Sequence, residues 1–595
     1  MLKKLTYLVL CLFLLITLSS NTLAKGRTIY VAIENQDDIA NYKSRVTEAI
    51  NSKPERIIVN FKSGTYYYKD AELLIRYGRG AEVSLEIRGN GSTLIPEGCT
   101  YKSGEDFNGI FNTELSVIDV QNRKDLSFWD AAHQSESRVE VVNKNQRLCR
   151  LKCSELTDRT ASDCKNGYIL ITSWFVSYIA KVEYVKDGYV YFVPTELNIK
   201  SGYKDYDIDF DYVYGGLYPR FKLCNVYGDA PFSIINGKVA ISGKQNNSYV
   251  CTAGTAFRFY ATVLKSITIN GFNFLGSSKT KDSKGVIEID YCNCESIEIS
   301  HCTIKASQNT AIYATNADNI RIHDNVISYV YGGGIQADNK CSHANIYNNE
   351  LCYTGLRLLN TFAINVKGLD YRVANNKIYN FGYSALNVGI WGPVTNQTPS
   401  SGVVEHNEIY MTQDYIADIA NYGLMDGGAI YVGTLNDRSV IRYNYIHDIS
   451  GIKNNRGIFC DGGSRNVSII GNVITRIANS YCIDSYRVSS FENVIGPTNV
   501  GNVISNNIVD GKIRFEGRDA SDNGCVMSSN YDLATKNGDT PKHVVSNVQI
   551  ESGNILLNST GVKKGREGID STSYRLLNKA GALRELKPYL IKKRK

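Results

Sequence analysis

From about residue 266 the chain repeats one arrangement of positions: apolar, any, apolar, any, any, asparagine, any, apolar. The asparagines are Asn273, Asn325, Asn349, Asn376, Asn407, Asn444, Asn472 and Asn507, with Thr303 filling one place, and successive sites lie 22–37 residues apart. Within each unit apolar and polar residues alternate, as in Ser266-Ile267-Thr268-Ile269 and Ile320-Arg321-Ile322-His323, and a period of two predicts strands. One such unit cannot bury its apolar side alone, but stacked units can, so the pattern predicts a solenoid whose coils carry loops of unequal length. An asparagine at the same bend of every coil can link neighbours through its side-chain amide, a structural role rather than a chemical one. A second strand precedes each asparagine, anchored by Ile287, Ile312, Ile335, Ile364, Leu386, Ile430, Ile458 and Ile483.

The flanking segments follow other patterns. Residues 28–32 and 56–61 read as strands and residues 37–50 as an amphipathic helix between them. Residues 1–24 show a charged start (Lys3, Lys4), an apolar run and a small-residue end. That is the order of a secretory signal, and the run is too short to span a bilayer. Residues 135–230 carry no coil repeat. Two alternating runs flank Asp187-Gly188 there, a strong hairpin signal, and residues 220–225 look like a returning strand. The chain therefore divides into the export segment 1–24, the first coils with a helical cap at 25–134, an antiparallel β insertion at 135–230, the main solenoid at 231–532, and later coils with a tail at 533–595, including a helix near 579–590. The expected class is all-β. The repeat, the cap and the periods resemble the right-handed parallel β-helix of the pectin-lyase-like superfamily, in which such a helix plugs the open end of the solenoid and hides the end strand from edge pairing.

Composition agrees with export and a β-rich core. The chain has 41 Tyr and 50 Gly among 595 residues, and its formal net charge is +7. That charge is dispersed, with no Lys/Arg block before Lys592-Lys593-Arg594-Lys595, which argues against a nucleic-acid partner. No later stretch reads as a membrane span. Cys292, Cys302, Cys352, Cys460 and Cys482 lie in apolar strand-like runs and read as small buried hydrophobes rather than disulfide partners. Cys292-Asn293-Cys294 lacks the second ligand pair that a zinc site needs. No cofactor or metal is expected.

If each anchor points inward, the residues one and three places later point outward. Stacking then builds two exposed columns. The first holds Glu288, Tyr313, Gln336, Asn365, Asn387, Tyr431, Phe459 and Asp484; the second holds Asp290, Thr315, Asp338, Lys367, Gly389, Gly433, Asp461 and Tyr486. Aromatic rings that stack on sugar rings, amides that bind hydroxyls and several carboxylates suit a carbohydrate. Asp426-Gly427-Gly428 enters one strand of this face and Asp461-Gly462-Gly463 leaves the strand of the next coil. A carboxyl separation of roughly 5–9 Å covers both retaining and inverting glycosidases, so Asp426 and Asp461 are the expected catalytic pair. Gln336, Asp338, Asn365, Lys367, Asn387, Tyr431, Phe459 and Asp484 are expected to contact substrate. Arg456 and Arg487 are expected beside the carboxylates, orienting them or binding an acidic sugar, and Asp484 is the substitute partner for Asp461. His447 and Asp448, after the Asn444 bend, read as loop residues.

The runs Asp426-Gly427-Gly428-Ala429-Ile430-Tyr431, Ile441-Arg442-Tyr443-Asn444-Tyr445-Ile446-His447-Asp448 and Gly457-Ile458-Phe459-Cys460-Asp461 resemble β-helical glycoside hydrolases, nearest to family 141 and more distantly family 120. The resemblance implies an aspartate pair, placed on Asp426 and Asp461, and a sandwich-like insertion near the amino end. Two other readings stand beside it: a polysaccharide lyase, with Lys367 or an arginine as base on a uronate glycan, and a glycan-binding solenoid without chemistry.

Overall fold

The computed structural model describes residues 26–97, 140–194, 220–241 and 254–557, apart from short stretches within these ranges. The export segment and the expected helix near 579–590 lie outside the described residues. The chain forms a right-handed parallel β-helix whose three long sheets contain fourteen, twelve and thirteen described strands. Each coil contributes one strand to each sheet, and every neighbouring pair within them runs parallel. None of the described helices is long and apolar enough to cross a membrane.

The eight anchors fall on one line. Ile287, Ile312, Ile335, Ile364, Leu386, Ile430, Ile458 and Ile483 pair in unbroken register from coil to coil, and Ile513 continues the line. All are buried in a single core that runs the length of the solenoid. The core begins at the amino end, where strand Thr28–Ile33 is followed by two helices, Gln36–Ala40 and Tyr42–Asn51, in place of one. Their Ile39, Tyr42, Val46 and Ile50 join the same core, so the helices close the end that an unpaired coil would leave open.

A ladder of asparagines holds one bend. From Asn325 through Asn349, Asn376, Asn407, Asn444, Asn472 and Asn507 to Asn530, each side-chain amide donates to the next carbonyl oxygen at 2.9–3.0 Å. The same oxygen accepts the backbone N–H of the preceding asparagine. The residue before each asparagine takes a left-handed backbone, as at Asp324, Asn348, Asn375, His406 and Tyr443 with φ of 54–58°, which turns the chain sharply at a fixed place. Two expected members stand one residue off. Asn273 and Thr303 align with Val326, and Cys302 occupies the ladder position, its N–H donating to Asn325 Oδ1. Apolar residues can fill the bend in the early coils because its left-handed residue, Gly271 or His301, is kept.

The insertion leaves and returns between adjacent coils. Strand Arg79–Arg88 lies directly on Val263–Asn270, and Leu73–Arg76 on Phe257–Tyr260. Between them, six strands from Glu140–Asn143 to Arg220–Cys224 form an antiparallel sheet. Its central hairpin turns at Asp187-Gly188, both with positive φ, the geometry that matches strand twist. Phe232–Ile235 and Lys238–Ile241 form a second small hairpin, and Phe257–Tyr260 is the first described strand of the solenoid after it. Beyond residue 532, Val544–Ser546, Gln549–Ile550 and Ile555–Leu557 extend the three sheets by another coil. The cysteines whose side chains are described are all buried. Burial pushes the thiols of Cys292, Cys302 and Cys460 up to about 12, as expected of packing groups rather than reactive ones.

The ladder makes a stability prediction. Asn376→Ala removes the acceptor of the Asn349 backbone N–H and one acceptor of the Asn349 amide, together with the donor to the Ile346 carbonyl and Asn407 Oδ1, at a cost of about 3 kcal/mol. Asn273→Ala, off the ladder and bonded only to the Gly91 carbonyl, is expected to cost less than about 1 kcal/mol. Denaturant midpoints of the two variants measure the difference.

Candidate active site

Three adjacent strands of the anchor sheet build the site: Gly428–Val432, Arg456–Cys460 and Tyr481–Ser485. Tyr431, Phe459 and Asp484 are aligned across them, one place after the anchors. They point away from the solenoid core, but they are not wetted. Tyr431, Phe459 and Tyr383 form a separate aromatic cluster with Phe362 and Tyr486 packed on it, and Asn365, Asn387 and Asp484 are buried as well. Alternation sets the direction of a side chain, not what covers it. Large rings on strands about 4.8 Å apart cover one another.

Asp426 sits at the entry to its strand in a left-handed backbone, φ 60°. Its carbonyl accepts the Tyr383 hydroxyl at 2.8 Å. Its carboxylate accepts a bond from Arg456 Nη1 at 2.7 Å, with 27% of the side chain still open. Gly427 is required next to it, since a Cβ there would lie 2.5 Å from the Tyr383 carbonyl. Asp461 leaves the neighbouring strand in a turn made by Gly462 and Gly463, both with positive φ. Its two carboxyl oxygens accept the hydroxyls of Tyr431 and, at 2.7 Å, Tyr486. Its carbonyl accepts Thr434 Oγ1 at 2.9 Å. Burial raises the Asp461 pKa, the charge of Asp426 adds to the rise, and the two tyrosine hydroxyls and Arg456 oppose it without cancelling it.

Arg456 joins the parts. It is almost fully buried, its guanidinium carbon lies 4.0 Å from the centre of the Phe459 ring, and it divides its donors among Asp426, Asp484 and the Asn454 carbonyl. Asp484 has no exposed surface and is gripped on its other side by Arg514 through two bonds of 2.6 and 2.7 Å. It is enclosed between two arginines, so it does not stand ready as a substitute for Asp461. Arg487 turns elsewhere: it pairs with Glu492 and Asp519 and neither orients the carboxylates nor offers itself to an acidic sugar.

The other sequence candidates lie along the same face. Asn387 donates to Asn365 at 2.7 Å, one and two coils before Tyr431. Gln336 precedes Asn365 in the same column. Asp338 and Lys367 follow their strands in the second column. Four coil steps separate Asp338 from Asp461, roughly 19 Å, and three separate Lys367 from it, roughly 14 Å. His447 and Asp448 lie in strand Tyr445–Ile449 of a different sheet, not in a loop, and Asp448 is paired with Arg476. Tyr486 belongs to the second outward column, whereas Tyr383 and Arg514 join the site without standing among the sequence candidates. Arg514 was accessible to the periodic reading, since Ile513 is the next anchor and Arg514 the next member of Asp484's column. Among the described residues no group of three or more His, Cys, Asp or Glu is arranged to hold a metal ion.

No family model and no curated protein matches the chain. Among solved structures it is similar to one described as a glycoside hydrolase, with 10% identity and a TM-score of 0.42 over 93% of this chain and 98% of that chain. A second is the complex structure of XylC with xylose, with 11% identity and a TM-score of 0.39 over 91% of this chain and 88% of that one. A third is the Gp54 tailspike of Acinetobacter baumannii bacteriophage AP22 in complex with a capsular saccharide of that bacterium, with 9% identity and a TM-score of 0.20 over 90% and 78%. These similarities are weak and assign no chemistry.

The close approach at Gly427 is testable without substrate. Gly427→Ala is expected to lower stability by about 1–3 kcal/mol through a backbone clash. Gly91→Ala, where nothing lies within 4 Å of the added Cβ although φ is 78°, is expected to cost about 1 kcal/mol from backbone strain alone. Thermal unfolding compares them.

Proposed function

We propose that this chain is an exported glycoside hydrolase, with Asp461 as the general acid and Asp426 as the carboxylate that acts as nucleophile or base. The observation that carries the reading is the unlike setting of two carboxyls at one face. Asp426 is ion-paired with Arg456, while Asp461 is enclosed by tyrosine hydroxyls and has a raised pKa. Glycoside cleavage needs that division, one group to protonate the leaving oxygen and one ionised group for the anomeric carbon. Phe362 and Tyr486, the partly exposed rings of the cluster, supply apolar surface for a sugar. Placement in family 141 belongs to the same proposal and rests on the local wording of residues 426–461.

A lyase fits the site less well. It requires a free cation for the uronate and a base at the cleavage point. Arg456 and Arg514 are both engaged by carboxylates, and Lys367 is coils away.

Incubation with a panel of plant and host polysaccharides is expected to release new reducing ends without an unsaturated, ultraviolet-absorbing product. Asp426→Asn and Asp461→Asn are each expected to lower kcat by about a thousandfold or more with folding intact. Retention of full activity in either variant contradicts the pair.

The pH dependence has a defined sign. A raised Asp461 pKa keeps the acid form to higher pH, and activity falls as pH rises through that value. The tyrosine hydroxyls stabilise the carboxylate. Tyr486→Phe should therefore move the basic limb of kcat/KM to higher pH; a limb that stays in place or moves down excludes Asp461 as the acid.

A further inference from the structure

Asp484 is the one fully buried carboxylate of the site, and the proposed reaction makes no use of it. It meets Arg456 Nε at 2.9 Å on one oxygen and Arg514 on both. Arg456 reaches Asp426 with a different nitrogen, Nη1, which also donates to the Asn454 carbonyl at 2.6 Å. A guanidinium is planar, so fixing Nε fixes the direction of Nη1. Arg514 also lies over the rings of Tyr481 and Tyr486, 4.9 and 4.8 Å from their centres, and Tyr486 is a donor to Asp461. Asp484 and Arg514 thus touch, through one intermediary each, both members of the acid pair.

Arg456 faces Asp426 and Asp484, and Arg514 faces Asp484 and Glu516, so each guanidinium meets two carboxylates. Asp461 faces Tyr431, Tyr486, Asp426 and Arg456; Arg514 additionally faces Tyr481. Cys460, on the strand between, is buried and feels both Asp461 and Asp484. With Asp484 in place neither guanidinium is left to receive an acidic ligand.

We infer that Asp484, clamped by Arg514, is a positioning residue that aims Arg456 at Asp426 and, by occupying both arginines, restricts the cleavage point to an uncharged sugar ring. The inference rests on the glycosidase reading and adds to it the substrate class and the source of the pair's geometry. Asp484→Asn removes one negative charge and frees guanidinium donors. The local field becomes more positive, the proton on Asp461 is held less tightly, and the basic limb of kcat/KM should move to lower pH by about one unit. Arg514→Gln removes a positive charge and should move it the opposite way.

The experiment compares wild type, Asp484→Asn, Asp484→Glu and Arg514→Gln on the neutral glycan that the wild type cleaves, with glucose and sodium glucuronate as inhibitors. Expected are limb shifts of opposite sign in the Asn and Gln variants and a return toward the wild-type limb in Asp484→Glu. Glucuronate inhibition should tighten at least tenfold relative to glucose in Asp484→Asn. Equal loss of kcat in all three variants with unmoved limbs overturns the inference, as does wild-type preference for a uronate chain over its neutral counterpart. Should Asp484→Asn not fold, the Arg514→Gln limb decides alone. Failure of the underlying reading looks different: Asp461→Asn would then stay active, whatever Asp484 does.

Discussion

Each inner strand of this solenoid has a neighbour one coil above and another one coil below, and main-chain hydrogen bonds to both prevent it from sliding by a residue. A slip of one would turn every anchor isoleucine outward and every outward residue into the core. The amide ladder from Asn325 to Asn530 adds a second lock, because each asparagine must meet the next at the bend. Register is thereby fixed at two places per coil, and everything on the outer face inherits its position from that constraint. Tyr431, Phe459 and Asp484 stand side by side because Ile430, Ile458 and Ile483 do.

On that frame the site is built from what alternation leaves outside. The strands bring a line of side chains to one face, and the turns at their ends bring in the two aspartates. Asp426 enters beside Gly427, where a side chain would block the approach of the Tyr383 carbonyl, and Asp461 leaves beside Gly462, which supplies a positive φ against the Phe491 ring. The rings of Tyr383, Tyr431, Phe459 and Tyr486 then exclude water from between the charges. Exclusion of water is what makes the ion pairs of Arg456 strong and the proton of Asp461 hard to remove. The surrounding packing also explains why the arginines are essential. A buried carboxylate such as Asp484 is tolerable only when its charge is met from both sides.

Much of this architecture was legible in the chain. Apolar anchors at matched positions located the strands, their neighbours and the order of the outward residues, because a parallel stack repeats its register from coil to coil. The ladder was legible from Asn325 to Asn507 and misread at Asn273 and Thr303, where Phe272 and Cys302 hold the position and no amide marks it. Coverage of the face was not legible. Period two tells which side a residue takes but not that neighbouring rings and guanidinium groups will bury it, so Asn387, Phe459 and Asp484 were expected in solvent. Partner choice was not legible either. Arg456 and Arg487 looked alike in sequence, yet one reaches Asp426 and Asp484 and the other is drawn to Glu492 and Asp519.

The central claim is that Asp426 and Asp461 act on one glycosidic bond. A crystal structure of Asp461→Asn with an uncleaved oligosaccharide of the preferred glycan tests it most directly. The account predicts the scissile oxygen within hydrogen-bond reach of residue 461 and the anomeric carbon facing the Asp426 carboxylate, with a sugar ring against Phe362 or Tyr486 at the edge of the aromatic cluster. A sugar seated on another face of the solenoid, or spanning this one with Asp426 turned away from the anomeric carbon, would contradict it.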